Sequence, residues 1–74
     1  MKELQLAALK ADLPEHGLVK GDIGTVVLVH GDGEGYEVEF ATLTGKTVAV
    51  ITLSASRVRP VNPREIAHAR KVAV

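Results

Sequence analysis

Two β-rich runs hinged on glycines, GDIGTVVLVHGDGEGYEVEF at residues 21–40, constrain the fold of this chain more than any other feature. Tyr36-Glu-Val-Glu-Phe40 alternates strictly, so Tyr36, Val38 and Phe40 share one face of a strand and Glu37 and Glu39 the other. That strand is buried on one side only. Upstream, Thr25-Val-Val-Leu-Val29 is β-branched almost throughout, and Gly31-Asp-Gly-Glu-Gly35 between the two runs is turn chemistry. A hairpin is predicted. A second turn, Leu43-Thr-Gly-Lys46, leads into Thr47-Val-Ala-Val-Ile-Thr-Leu53 and extends the hairpin to a three-stranded antiparallel meander.

The runs at 25–29 and 47–53 are apolar on both faces, which an antiparallel sheet with one wet side does not require. Three things can cover the second face: closure of a barrel, a C-terminal helix, or a neighbouring subunit. The chain has 74 residues, and a domain of that size buries only about 60% of its unfolded surface. Aromatic residues make up 3% of it, Tyr36 and Phe40 alone, so the core must be filled by Val, Leu, Ile and Ala. A core of such small units gains from extension across an interface, which makes self-association the default expectation.

The first segment, ELQLAALKADL, is open to two readings. It is built of good helix formers, with Leu4, Ala7, Ala8 and Ala11 on one helical face, yet Leu9, Ala11 and Leu13 also alternate as a strand would. Pro14 stops either element. EHGLVKGD then reads as an exposed loop, Ser54-Ala-Ser56 as a short helical turn, and Arg57-Val-Arg-Pro-Val61 as a brief strand with Val58 inward. Asn62-Pro-Arg-Glu65 carries three agreeing helix-start signals: a capping Asn, Pro at the first position and Glu at the third. They predict a helix over 63–72 with Ile66, Ala69, Val72 and Ala73 as its apolar stripe. At that length it must pack against something or fray.

This order, all within one domain spanning 1–74, corresponds to a mainly β fold: a five-stranded SH3-like small barrel over about residues 5–61 with a short C-terminal α-helix. In that frame Gly21 and Gly24 bracket Asp22 where the loop bends into the second strand, a place that tolerates positive φ and favours an Asp bonded to nearby backbone. The runs DLPEHGL (12–18), KGDIGTVV (20–27), YEVEF (36–40) and the later TLSAS with Val58 resemble the bacterial family catalogued as domain of unknown function 4926. The resemblance spans about residues 6–61. It implies a small SH3-like barrel whose first segment is a strand, and it supplies no activity, cofactor or catalytic residue.

Charge narrows the function. Nine Lys and Arg balance nine Asp and Glu, so no bulk attraction to nucleic acid or an anionic membrane is implied. The distribution is uneven: residues 1–56 hold four bases against eight acids, whereas Arg57, Arg59, Arg64, Arg70 and Lys71 face only Glu65 in the remainder. Those five basic residues are the candidate interaction surface. With no cysteine, disulfides, thiolate catalysis and cysteine-bound zinc are excluded. Lys10 and Asp12 interrupt the early leucines before a signal-peptide core is complete, and no apolar run reaches membrane-spanning length, so a cytoplasmic protein without membrane contact is expected.

The remaining motifs favour ordinary structure. GDGEG matches no phosphate-binding fingerprint, and its Asp32 and Glu34 would repel phosphate. His16, His30 and His68 lack ligand spacing, and Ser54 and Ser56 lack a cue for activation. No enzyme activity, metal or cofactor is expected. GDIGTVV is similar to the glycine-bearing start of KOW-type strands, but it lacks the basic loop or stacking aromatic that RNA contact needs. The sequence thus points to a non-catalytic protein–protein interaction module that forms a homo-oligomer, most simply a dimer, and has a partner protein. The alternatives are nucleic-acid binding through the basic C-terminal segment and an antitoxin or immunity-type role.

Overall fold

The computed structural model describes residues 1–73. Its strands are β1 (Leu6–Leu9), β2 (Ile23–His30), β3 (Gly35–Ala41), β4 (Thr47–Ser54) and β5 (Val58–Pro60), with 3-10 turns at Pro14–His16 and Ala55–Arg57. The first segment is therefore a strand, set between β2 and β5. All pairings are antiparallel, in the order β4-β3-β2-β1-β5. Among the described residues, β4 and β5 do not pair, and the sheet is open in its hydrogen bonding.

The connection between those two edges nevertheless forces the sheet to curl. Only Ala55–Arg57 separates β4 from β5, and that chain spans at most about 14 Å. The edges of a flat five-stranded sheet lie about 19 Å apart. Curling brings the inner faces of all five strands around one core, in which Val26 and Val38 are fully buried and Leu9, Phe40, Leu53 and Val58 nearly so. Tyr36, Val38 and Phe40 do point inward together, as the alternation requires.

Two local readings change. The loop after β1 is less exposed than its charges suggest: Leu13 and Leu18 form an isolated bridge and both enter the core. Asp12 Oδ1 accepts from the Lys20 amide at 2.8 Å and ties the loop's ends together. Gly21 has the positive φ the turn reading assigns it (93°), but Gly24 does not. It sits buried within β2, where a Cβ would lie 2.7 Å from the Glu39 carbonyl oxygen of β3. Gly24 is there for close strand approach, not for a turn.

The C-terminal α-helix expected over 63–72 does not form. Its capping chemistry does: Asn62 N–H donates to Glu65 Oε1 at 2.7 Å, and Arg64 N–H donates to Asn62 Oδ1 at 2.9 Å. The Glu65 amide closes one turn on the Asn62 carbonyl, and beyond Pro63–Arg64 the described chain is irregular. Helix propagation needs an apolar face with something to pack on, whereas Ile66, the leading residue of the stripe, is 94% exposed. Two arginine–carboxylate pairs compete with the helix and hold this segment to the sheet instead.

Candidate interaction surface

The core takes the odd-numbered positions Ala7 and Leu9 of β1 and the even-numbered Tyr36, Val38 and Phe40 of β3, which sends Leu6, Ala8, Glu37 and Glu39 to the outer face. Strand register then sets two rows across that face. Leu6, Thr25, Glu39 and Val50 are directly opposed from β1 to β4, and Leu28, Glu37 and Thr52 form the next row. A bulge between Val26 and Leu28 admits Val27 as an extra residue. Leu6, Leu28 and Val50 are 50%, 41% and 54% exposed.

The two carboxylates in these rows are turned toward their own chain. Glu39 Oε2 accepts from Thr47 Oγ1 at 2.7 Å, and Glu37 Oε2 lies 3.0 Å from His30 Nε2. Their methylene stems lie beside the three partly exposed aliphatic side chains on this face. Near it in the chain, Leu4 is held in the left-handed region (φ 69°) with its side chain in solvent, a conformation that costs a non-glycine residue about 1–2 kcal/mol.

The five basic residues do not form one patch. Arg59 engages Glu65 through both terminal guanidinium nitrogens, each at 2.8 Å. Arg70 reaches back 48 residues to Asp22, with Nε donating to Oδ1 at 2.8 Å and the second nitrogen to Oδ2, and it also donates to the Gly17 carbonyl at 3.1 Å. Asp22 simultaneously accepts from the Val19 amide, as expected of an Asp in that turn. Arg57, Arg64 and Lys71 make no ion pair among the described residues. Residues 61–72 thus act as a strap across one end of the outer face, above Ala8 and Ile23.

The pairs shift their own acids. The Arg59 guanidinium, aided by the Asn62 amide, lowers the Glu65 carboxyl to about 2. The hydrogen bond from Arg70, reinforced by that from Val19, holds Asp22 below the usual carboxylate range against the opposing effect of its partial burial. A depression of about 380 Å³ lies between the strap and the β3–β4 turn, lined by Ile23, Leu43, Val48 and Val72. Its charged lining is Asp22 and Arg70, bound to each other, and Lys71.

His16, His30 and His68 lie on the first 3-10 turn, the end of β2 and the strap, and no three acids or histidines gather in metal-binding geometry among the described residues. Ser54 and Ser56 contact each other at 3.0 Å. No helix is long and apolar enough to cross a membrane among those residues.

Residues 3–60 match the family model of a domain of unknown function, DUF4926. The chain belongs to this family. The DUF4926 match takes in all five strands and stops short of the strap. No curated protein and no solved structure matches the chain. Sequence reasoning missed the Arg70–Asp22 tie and the outer rows as units, because both depend on register and on contacts dozens of residues apart.

Proposed function

We propose that this DUF4926 protein is a non-catalytic interaction module of SH3-like barrel type, working in the cytoplasm, that self-associates and presents the outer face of its sheet to a partner protein. The observation that carries this reading is the pair of outer rows. Leu6, Leu28 and Val50 keep about half of their surface in water on a small domain that has only two aromatic residues for its core. Apolar contact drives most protein association. The C-terminal helix that would have shielded the face is replaced by a strap confined to the Ala8–Ile23 end. A partner protein is the simplest cover that remains.

Two observations weigh against nucleic acid. Arg59 and Arg70 spend their charge on Glu65 and Asp22, and the outer face carries Glu37 and Glu39. Counterion release, the main source of nucleic-acid affinity, needs unpaired cations in one place. The test is Leu6→Lys combined with Leu28→Lys, followed by light scattering during gel filtration. Both proteins are expected to elute as dimers, the double variant with an unchanged circular dichroism spectrum, because Leu6 and Leu28 belong to the face kept for the partner; an unaltered protein that elutes as a monomer at high micromolar concentration contradicts the proposal.

A further inference from the structure

The two edges of the sheet are built differently. β5 is three residues long, ends in Pro60 and carries Arg59, while the Val61 amide turns back to the Leu6 carbonyl. Short length, proline and charge are devices by which monomeric proteins keep edges from pairing. β4 has none of them: Thr47-Val-Ala-Val-Ile-Thr-Leu-Ser54 is eight residues without a charge or a proline. Its single bulge sits at its start, opposite Phe40–Ala41.

The hydrogen-bond phase of this edge follows from one contact. The Ala55 amide donates to the Glu34 carbonyl at 3.2 Å, one step outside the opposed pair Gly35 and Ser54. Gly35 and Ser54 are therefore a non-hydrogen-bonded pair, and the alternation of an antiparallel ladder makes Tyr36–Leu53 and Val38–Ile51 the bonded ones. Val50 and Thr52 consequently aim their N–H and C=O groups away from β3. Both residues are exposed, and no other described backbone group bonds to them.

We infer that β4 pairs with β4 of a second copy, antiparallel about a two-fold axis at Val50, which joins two five-stranded sheets into one of ten. The inference rests on the self-association proposed above and specifies its geometry. Val50 meets its own counterpart and Thr52 meets Val48, so each outward amide finds a carbonyl. The row Leu6–Thr25–Glu39–Val50 continues across the axis with one apolar side chain against another. Glu39 in the two copies stands three strand spacings apart, about 14 Å, beyond the screening length of about 8 Å at physiological salt. The antiparallel run also points Lys46, just before β4, toward the acidic Asp32–Glu34 turn beside the other copy's Ser54. A strand free of charge that is complementary to itself fits a second copy better than a charged peptide.

Thr52→Pro tests this, because it deletes the outward N–H while breaking no hydrogen bond to β3. Thr52→Val keeps the N–H and serves as its control. In sedimentation velocity the unaltered protein and Thr52→Val are expected to be dimers and Thr52→Pro a monomer that retains cooperative unfolding. Dimers for all three would overturn the edge pairing and leave self-association standing, whereas a monomeric unaltered protein would overturn both. Amide hydrogen exchange on the unaltered protein decides the matter even if Thr52→Pro does not fold. The Val50 and Thr52 amides are expected to slow by roughly 100-fold as concentration rises through the dimerisation range. Exchange at those two sites that stays fast at every concentration would refute the pairing.

Discussion

Replacing Gly24 by alanine adds one methyl group at the point where β2 lies closest to β3. That Cβ would lie 2.6 Å from Val38 Cγ1, 2.7 Å from the Glu39 carbonyl oxygen and 3.0 Å from Phe40 Cδ1. Val38 is fully buried and cannot swing aside, and the Glu39 carbonyl belongs to the backbone. Overpacking of this kind costs about 1–3 kcal/mol, offset by about 0.4–1 kcal/mol because alanine restricts the unfolded chain. The expected net loss is about 1–2 kcal/mol, which lowers the melting temperature of a domain this size by roughly 4–16 °C. Urea unfolding followed by circular dichroism reads it directly. Adding Val38→Ala should restore part of the loss, since it removes one of the clashing atoms, so the double variant is expected to be more stable than the sum of the single changes implies. A Gly24→Ala protein as stable as the original would refute the close-approach reasoning.

Three further outcomes follow from the same geometry. Phe40→Ala removes the largest apolar side chain from the core and is expected to cost about 3–5 kcal/mol, enough in a small domain to leave a substantial unfolded fraction by thermal denaturation. Glu65 should titrate near 2 in the folded protein, against about 4.5 for the free group, when followed by carboxyl NMR shifts. A folded-state value below the unfolded one means its pairing with Arg59 supports the fold fully above about pH 4.5 and is lost as pH falls toward 2, so an ordinary midpoint would disprove the strap's first anchor. Arg70→Ala removes the second anchor, and amides of residues 66–73 should exchange faster while core amides and the melting temperature barely move.

How much of this was legible depended on the range of the interaction responsible. The meander was readable because alternation in Tyr36–Phe40 and glycines at the turns are local, and the structure keeps both. The N-terminal segment could not be assigned from propensity, since Leu and Ala favour helix. Its partners β2 and β5, absent from any local window, make it a strand. The C-terminal segment shows the converse. Asn62 and Glu65 form the cap their types suggest, but a cap starts a helix and does not sustain one when Ile66 has nothing to pack on. Gly24 looked like a turn residue because it lies two positions beyond Asp22, whereas its constraint comes from Val38 and Glu39 in the next strand. The doubly apolar runs at 25–29 and 47–53 were visible from composition. Which side chains share the outer face was not, because the bulge at Val27 shifts register there.

Small-angle X-ray scattering of the unaltered protein tests most directly whether a second copy pairs with the β4 edge. One chain has a mass of 7.8 kDa and a Cα radius of gyration of 11.5 Å. At high micromolar concentration, forward scattering is expected to give twice that mass, with a distinctly larger radius from two sheets joined side by side. A curve that keeps the single-chain mass and a radius near 11.5 Å at every concentration would contradict the account.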